Sequence, residues 1–341
     1  QKIYKKGCEN AMCTAFTFSQ DPMYFGRNMD IEYSFGESVV ITPRDFPIST
    51  HFAGTLSHHY AMIGMANAAQ GYPLYAEAAN EKGLCMAGLN FPDNAYYLPV
   101  DAVAQLKQQG KIPLAPYELI PVILGRCENL SQAKELLSQV ELVQKPFLPA
   151  LPLAPLHWIV SERCGSLTVE RTEAGLQIYD NPYGVLTNNP PFPFHLENVR
   201  QYLHLSAQYP ENRLCREASL TPFGQGMGAL GIPGDFSPAS RFIKTVFCKF
   251  NSLCETDEYA CVSQVFHILD AVAMVRGTVI TPEGRPDITT YSCCINAQKG
   301  SYYYKTYENN QIIQIPMTDS RREGTHLMVF ALETQPQIAV R

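Results

Sequence analysis

The sequence predicts an α+β fold in which two mainly antiparallel β-sheets carry helices on their outer faces. Strand-like segments open and close the chain and flank helical ones, and the strict alternation of strand and helix that marks a doubly wound parallel sheet is absent. The 341 residues are 46% hydrophobic and 17% charged, which is the composition of a globular protein with a large core. No internal repeat or linker divides the chain.

Strands are predicted for the first part of the chain. Residues 12–91 contain β-branched and aromatic runs, such as TAFTF, MYFGRNMDIEY and SVVITPR, separated by Gly, Pro and Asp. The segment AAQGYPLYAEAANEKGLCMAGLNF adds two strands that are joined by an Asn-Glu-Lys-Gly turn. Short strands joined by such turns favour antiparallel pairing.

Helices and a strand meander are predicted next. Residues 116–142 have apolar positions spaced near 3.6, with Ser131 as the N-cap of a second helix. The following loop, KPFLPALPLAPLHWIV, contains four prolines and therefore excludes a regular helix. LHWIVS, SLTVERT and LQIYDN then predict three antiparallel strands.

The remaining elements are three helices and a hairpin. Residues 195–207 are predicted to be helical. A second helix begins with Ser237 as N-cap and Pro238 in the first turn, and the amphipathic run YACVSQVFHILDAVAMVRG predicts a third that Gly277 closes. The final strands form a hairpin with its turn at Lys299-Gly300.

Charge and spacing exclude several function classes. The net charge is −6 and no Lys/Arg-rich run occurs, which argues against a nucleic acid or membrane partner. No histidine spacing suits a metal site, so no metal is expected. GMGALG at 226–231 matches a dinucleotide motif, but the Pro-Gly-Asp that follows predicts a loop instead of the required helix. We therefore expect no cofactor.

The cysteines indicate a reducing compartment. There are eleven, an odd number, without a C-x-x-C pair or zinc-like spacing. The N-terminal residues lack the apolar segment of a signal peptide. We therefore expect a cytoplasmic protein whose cysteines are mostly buried apolar residues.

Cys13 is the exception because it follows Met12. If translation starts at Met12 and this methionine is removed, Cys13 carries both a thiol and a free α-amine whose ordinary pKa is near 8. Nucleophile and base then sit on one residue, which is the N-terminal-nucleophile arrangement. Such a site also needs a carboxylate to hold the amine, and cations and amide donors to stabilise negative charge.

Several polar residues are candidates for these supporting roles. Arg27 and Asp30 lie on the strand expected to return beside Cys13, although a surface ion pair would also explain them. Asn90 and either Asn188 or Asn189 stand at strand ends, and the residues alone leave this choice open. Arg241, in the first turn of a helix, opposes the helix dipole and requires a compensating partner.

These motifs together resemble the choloylglycine hydrolase family of bile salt hydrolases and penicillin V acylases. The resemblance runs from Met12 to about residue 335 and rests on MCTAFTF, YFGRNMDIEYSFGESVVITPR, YPLYAEAANEKGLCMAGLNFP, PLHWIVS, NPYGVLTNNP, GMGALGIPGDFSPASRF and YYYKTYENNQI. It implies a four-layer αββα N-terminal-nucleophile hydrolase fold, a single domain over residues 13–341 and a homotetramer. Residues 1–12 would be translated upstream sequence or a propeptide, absent from the active enzyme.

The resemblance also implies roles for individual residues. Cys13 would be the nucleophile, with Arg27 beside its sulfur and Asp30 binding its α-amine. Asn90 and Asn188 would supply the oxyanion hole, and Arg241 would complete the polar cluster. The segment YPLYAEAANEKG and an asparagine at position 90 favour bile salts over penicillin V as substrate.

The implied reaction is hydrolysis of glycine- or taurine-conjugated bile salts by an enzyme of a gut bacterium. An apolar loop pocket would hold the steroid, with candidates Met23, Phe25, Ala69, Tyr72 and the loop near 142–148. Penicillin V acylase or N-acyl-homoserine-lactone acylase activity is the first alternative. A non-catalytic steroid-binding protein is the second.

Overall fold

Long apolar strands account for the centre of the computed structural model, which describes residues 11–19, 21–149 and 151–341. The strands, in chain order, are β1 (Met12–Ser19), β2 (Met23–Asp30), β3 (Ser38–Thr42), β4 (Ile48–Thr50), β5 (Gly54–Leu56), β6 (Met62–Asn67), β7 (Leu74–Asn80), β8 (Cys85–Asn90), β9 (Ile112–Leu114), β10 (Val140–Leu142), β11 (Leu156–Glu162), β12 (Gly165–Thr172), β13 (Gly175–Asp180), β14 (Val185–Leu186), β15 (Thr289–Asn296), β16 (Ser301–Thr306), β17 (Ile313–Pro316) and β18 (Met328–Ala331).

Most of these strands form two sheets whose pairings are antiparallel. The six-stranded sheet has the order β14-β1-β2-β15-β16-β17, and the eight-stranded sheet has the order β13-β12-β11-β8-β7-β6-β3-β18. The two sheets face each other across a core to which both contribute, for example Phe25 from β2 and Ile63 from β6. This arrangement confirms the predicted pair of mainly antiparallel sheets.

Helices cover the outer faces of both sheets. They are α1 (Val103–Gln108), α2 (Leu119–Arg126), α3 (Leu130–Gln139), α4 (Phe192–Asn198), α5 (Pro238–Asn251), α6 (Glu258–Asp270) and α7 (Asp319–Arg322). Helices α5 and α6 pack on the six-stranded sheet, and α2 and α3 pack on the eight-stranded one. The result is the expected αββα order of layers. Because both faces of each sheet are buried, strands such as β6 and β8 are apolar on both sides.

The helix ends differ from the predictions in two places. Asn129, not Ser131, caps α3, because its side chain accepts a hydrogen bond from the Gln132 N–H at 3.0 Å. Helix α6 ends at Asp270, so Gly277 does not close it and lies in the following loop with φ +93°. The predicted Ser237 cap is confirmed, since its hydroxyl accepts from the Ser240 N–H.

Two other predictions concern glycines and are confirmed. The β15–β16 hairpin turns at Gly300, which has φ +64°. GMGALG forms a loop with a short 3₁₀ helix, Met227–Ala229, and no long helix follows it directly. None of the helices in the described ranges combines the length and apolar character needed to cross a bilayer.

Position 64 on β6 requires a glycine because the backbones of β6 and β7 approach each other closely there. A Cβ atom at this position would lie 2.0 Å from the Glu77 carbonyl oxygen and 2.6 Å from the Ala78 Cα, both of them backbone atoms. We expect Gly64→Ala to lower the free energy of unfolding by about 3 kcal/mol or more, because the two strands must separate. Urea unfolding measures the change. Gly234→Ala, whose Cβ meets nothing within 4 Å, is the control and should change stability by less than about 0.5 kcal/mol; equal losses would contradict the explanation.

Candidate active site

Cys13 is the second residue of β1 and lies at the end of the strand, where its side chain lines a cavity. The residue is 1% exposed. The β1–β2 hairpin pairs Cys13 with Met29, so the return strand brings Arg27 and Asp30 beside it, as predicted. Arg27 Nη2 lies 3.3 Å from Cys13 Sγ. A guanidinium at this distance stabilises the thiolate, which is the reactive form of the group.

In the described ranges, Arg27 donates to the sulfur of Cys13 and not to that of any other buried cysteine. Burial raises the pKa of the Cys85, Cys293 and Cys294 thiols well above the ordinary range, which keeps them protonated and unreactive. Their structural role is the one expected from the sequence for most of the cysteines.

Glu77 holds Arg27 in place, and the sequence analysis missed it. Its carboxylate accepts from Arg27 Nη1 at 2.5 Å, from the Tyr302 hydroxyl at 2.6 Å and from the Tyr291 hydroxyl at 2.9 Å. Arg27 Nη2 also donates to the Gly88 carbonyl at 2.8 Å. The guanidinium therefore has a fixed position against the sulfur. A signal was present, because Glu77 interrupts the apolar strand LYAEAAN as Arg27 and Asp30 interrupt theirs.

Glu77→Gln is expected to lower kcat/KM for the substrate by about tenfold or more. The change leaves Arg27 charged, buried and without its carboxylate partner, so the guanidinium is less well held and the fold loses stability. A pH profile of Cys13 alkylation should shift, which a purely structural role would not cause. Glu81→Gln, which breaks the Arg44–Glu81 pair away from the cavity, is the matched control. Equal activity loss in both variants would contradict a positioning role for Glu77.

Asp30 lies opposite Met12 in the β1–β2 register. Its Oδ1 accepts from the Thr289 hydroxyl at 2.6 Å, while Oδ2 is buried without a partner in the described part of the chain. The backbone nitrogen of Cys13, which is an amide here because Met12 is attached, donates to Asn188 Oδ1 at 2.9 Å. Binding of the free α-amine by Asp30 therefore stays a prediction.

Asn188 connects the catalytic candidates to one another. Its Oδ1 also accepts from Arg241 Nη2 at 2.7 Å, and its Nδ2 donates to the Asn90 carbonyl at 2.7 Å. One Nδ2 hydrogen remains for another acceptor. Asn189 instead donates to the Pro92 carbonyl at 2.7 Å, so the structure distinguishes the two asparagines that the sequence left open.

Arg241 finds its compensating partners across the layer interface. Nη1 donates to the Cys13 carbonyl at 2.5 Å and to the Thr14 hydroxyl at 2.7 Å, and Nε donates to the Phe236 carbonyl at 3.0 Å. The side chain therefore leaves its own helix and fixes the end of β1. Burial lowers the pKa of this guanidinium, and the charge of Asp30 opposes that effect.

Asn90 ends β8 on the cavity wall. The neighbouring Phe91 N–H donates to the Pro155 carbonyl, and Asn90 faces Leu156 in the register. Because hydrogen-bonded and non-bonded pairs alternate in antiparallel sheets, the Asn90 N–H points away from β11. The pairing of β8 with β7 ends at Ala87. The main-chain N–H and the side-chain Nδ2, which is buried without a partner among the described residues, are therefore donors near Cys13.

A second buried carboxylate, Asp287, lies near Asp30. Neither oxygen accepts a hydrogen bond of regular geometry in the described ranges, although the Ile288 N–H lies near enough to favour the charged form. Burial and the charges of Asp30 and Glu32 raise the pKa of Asp287 to about 7, against the opposing effects of the Ile288 N–H and Arg241. Burial raises the pKa of Asp30 to about 6, although Arg241, Thr289 and Arg27 favour its charged form.

These raised pKa values predict the pH dependence of stability. Between about pH 4 and pH 7 the folded chain retains a proton on Asp287 that the unfolded chain releases, so folding is progressively destabilised as pH rises. Asp287→Asn removes this effect. In the chain that retains Met12, we expect the variant to gain about 2 to 4 kcal/mol relative to the wild type between pH 4 and pH 7.5.

Urea unfolding at several pH values measures this gain. Asp101→Asn, at an exposed position, is the control and should change stability by less than about 0.5 kcal/mol at each pH. A pH-independent difference for Asp287→Asn would contradict the assignment.

The cavity has a volume of about 480 Å³ and is mostly apolar. Its described lining consists of Ala11, Cys13, Arg27, Met29, Ile31, Tyr33, Phe35, Asn67, Leu74, Tyr75, Ala76, Gly88, Asn90, Pro116, Tyr117, Ile120, Pro146, Phe147, Leu151, Pro152, Leu153, Ala154, Leu156, Trp158 and Arg285. The loop predicted near 142–148 contributes Pro146 and Phe147. No group of three or more potential metal ligands occurs in the described ranges.

The prediction that Met23 and Phe25 on β2 line the pocket is wrong. Met23 and Phe25 share a face with Arg27, but they lie nearer the hairpin turn and are buried in the core between the sheets. Met29, Tyr33 and Phe35, on the Cys13 side of Arg27, line the cavity instead.

The two pocket candidates near residue 70 also differ from the prediction. Tyr72 does not itself line the cavity but packs against the rings of Tyr117 and Phe147, which do, with centroids 5.7 and 5.5 Å away. The side chain of Ala69 lies outside what the structure describes.

Known proteins resemble this chain over nearly its whole length. Residues 13–330 match the model of the linear amide C–N hydrolases, choloylglycine hydrolase family. A bile salt hydrolase/transferase of Lactiplantibacillus plantarum is 42% identical over 96% of this chain and 98% of its own. One of Clostridium perfringens is 40% identical over 94% and 96%.

Solved structures show the same fold. A mutant of the conjugated bile acid hydrolase from Clostridium perfringens superposes with a TM-score of 0.88 and 37% identity, covering 96% of this chain and 99% of that one. The penicillin V acylase from Agrobacterium tumefaciens gives a TM-score of 0.68 at 18% identity, covering 90% and 87%. At that identity the likeness concerns the fold alone.

Proposed function

Because the chain belongs to the choloylglycine hydrolase family of linear amide C–N hydrolases, we propose that it hydrolyses the amide bond of glycine- or taurine-conjugated bile salts. The observation that carries this function is the position of Cys13 Sγ, which lies 3.3 Å from Arg27 Nη2 on the wall of a largely apolar cavity. A steroid acyl group suits the apolar wall, and relatives that span nearly the whole chain are named bile salt hydrolases.

In the proposed first step, Cys13 Sγ attacks the amide carbon of the bile salt. The α-amine of Cys13 accepts the thiol proton, and Arg27 stabilises the thiolate. The negative charge that develops on the amide oxygen is stabilised by the Asn90 main-chain N–H and the free Asn188 Nδ2 hydrogen. Asp30 Oδ2, which has no other partner among the described residues, holds the α-ammonium group.

In the second step the carbon–nitrogen bond breaks. The Cys13 α-ammonium returns its proton to the departing nitrogen, glycine or taurine leaves, and the bile acyl group remains as a thioester on Cys13. Water then attacks the thioester with the α-amine as base, which releases the bile acid and restores the thiol. The reaction requires no redox change and balances without a co-reactant.

Rates on glycocholate, taurocholate and penicillin V test this function. We expect fast release of glycine or taurine and slow turnover of penicillin V. Fast penicillin V turnover beside negligible bile salt turnover would favour the acylase alternative. Bile salt binding without any product, unchanged in Cys13→Ala, would favour a steroid-binding protein.

We also propose the setting in which the enzyme works. It acts as a homotetramer in the cytoplasm of a gut bacterium, and the active chain begins at Cys13. The resemblance of the sequence to its family supports this setting, and the cysteines of the described ranges, which are all free, support the cytoplasm. Light scattering of the purified enzyme should give a mass near four times that of one chain, and a monomer would contradict the tetramer.

A further inference from the structure

Arg285 is a cation on the cavity wall that the proposed reaction does not use. The described lining contains two arginines, Arg27 and Arg285, and no carboxylate. Arg27 is committed to Glu77, Cys13 and Gly88. Of these two arginines, Arg285 is therefore the one whose guanidinium can bind a charged group of a ligand.

The guanidinium of Arg285 has donors to spare. Its Nη2 pairs with Glu32 Oε1 at 2.6 Å, and its Nε is buried without a partner in the described ranges. A guanidinium carries five N–H donors, so one bond to Glu32 leaves most of them available. The side chain is 43% exposed, whereas Glu32 is 2% exposed, so Arg285 is open to the cavity while its counter-ion is not.

Backbone hydrogen bonds hold Arg285 in a tight loop. The Thr281 N–H donates to the Arg285 carbonyl at 2.8 Å, and the Gly284 N–H donates to the Thr281 carbonyl at 2.8 Å. The Asp287 N–H donates to the Val279 carbonyl at 2.9 Å, which closes the base of the loop. These bonds fix the main chain at Arg285, and the pair with Glu32 restrains its side chain, so less freedom is lost when a ligand binds.

The contacts of this loop place Arg285 at the same end of the sheet as the Cys13 sulfur. Glu32, its partner, lies two residues beyond Asp30, and Asp30 pairs with Met12 in the register. The Ile31 N–H donates to the Ile288 carbonyl at 2.9 Å, which joins the loop to the same end of β2. Arg285 therefore lies at the Cys13 end of β1. Aromatic and proline side chains of the loops, such as Tyr117, Pro146 and Phe147, form another part of the wall.

We propose that Arg285 binds the terminal anion of the conjugated substrate, the carboxylate of glycine or the sulfonate of taurine. With the steroid against the apolar wall and the scissile carbon at Cys13 Sγ, the acidic end of the leaving group extends beyond the sulfur. This inference rests on the proposed function, because it assumes a conjugate with an acidic leaving group. It identifies Arg285 as a specificity residue that selects substrates by charge.

A pair of substrates that differ only in charge tests the proposal. Glycocholate carries a carboxylate, and the amide of its glycine group is neutral and similar in shape. We expect the wild type to have a kcat/KM for glycocholate about tenfold or more above that for the neutral amide. In Arg285→Gln the ratio should fall towards one, and Arg285→Lys should restore part of it.

Two controls separate recognition from folding. Arg285→Gln leaves the buried Glu32 carboxylate unpaired, so the double variant with Glu32→Gln measures the same ratio without that charge and should also give a value near one. Arg163→Gln removes an exposed arginine that pairs with Asp21 in the β1–β2 turn, at the opposite end of β1 from Cys13, and should keep the wild-type ratio.

The outcomes also separate this inference from the function on which it rests. An unchanged ratio in Arg285→Gln and in the double variant would overturn the role of Arg285 while bile salt hydrolysis stands. If the wild type cleaves neither conjugate, the proposed function itself fails.

Discussion

Cys13→Ala is expected to abolish bile salt hydrolysis, lowering kcat by about 10⁴-fold or more. The variant keeps the α-amine, the Arg27 guanidinium and the amide donors of Asn90 and Asn188, but it has no atom that can form the acyl-enzyme. Release of glycine from glycocholate measures the loss. Binding of the substrate should persist, because the cavity wall is otherwise unchanged.

The control for this result is another free cysteine. Cys164 is exposed and lies far along the sequence at the β11–β12 turn, so Cys164→Ala should leave the rate unchanged. Mass spectrometry after brief treatment with glycocholate at low temperature should find a bile acyl group on Cys13 and on no other cysteine. Glycine release by Cys13→Ala at the wild-type rate would show that another group is the nucleophile.

A chain that keeps Met12 joined to Cys13 is expected to be inactive, with less than about 1% of the rate of the chain that begins at Cys13. In the joined form the nitrogen of Cys13 is an amide, and the structure shows it donating to Asn188 Oδ1 at 2.9 Å. An amide nitrogen is not basic, so the thiol has no base on its own residue. The loss therefore concerns the chemical step and not the shape of the cavity.

This expectation is tested by placing a specific protease site before Cys13 and measuring glycine release before and after cleavage. Activity should appear as Cys13 becomes the first residue. The matched control leaves one extra glycine ahead of Cys13 after the same cut, and it should stay inactive although the rest of the extension is gone. Full activity with residues 1–12 in place would refute the role of the α-amine.

The sequence alone predicted much of the architecture because its strands and helices carry strong local signals. Apolar β-branched runs bounded by Gly, Pro and Asp marked most strands, and the Ser237-Pro238 pair marked the start of α5. Arg27 and Asp30 were predicted to lie near Cys13 because a hairpin brings adjacent strands together, and the β1–β2 register has that geometry. The family resemblance supplied the functional roles.

Local signals were weaker at helix ends and among neighbouring residues of one type. Asn129 and Ser131 both suit an N-cap, and the choice depends on which backbone N–H lies within reach of the side chain. Asn188 and Asn189 stand side by side in the sequence, but only the packing of β14 and α5 decides which of them meets Arg241 and the Cys13 nitrogen.

The candidate nucleophile and the strands around it follow from the sequence, because chemistry and secondary structure depend on residue type and on near neighbours in the chain. The tertiary structure decided the contacts between distant segments. Glu77 meets Arg27 across the two sheets, fifty residues apart, and Arg241 reaches Cys13 from a separate layer. The cavity likewise joins loops from many parts of the chain, so Met29 and Phe35 line it while Met23 and Phe25 do not. Such contacts depend on how the layers pack. The spacing of two residues along the sequence does not determine how close their side chains lie in the folded chain.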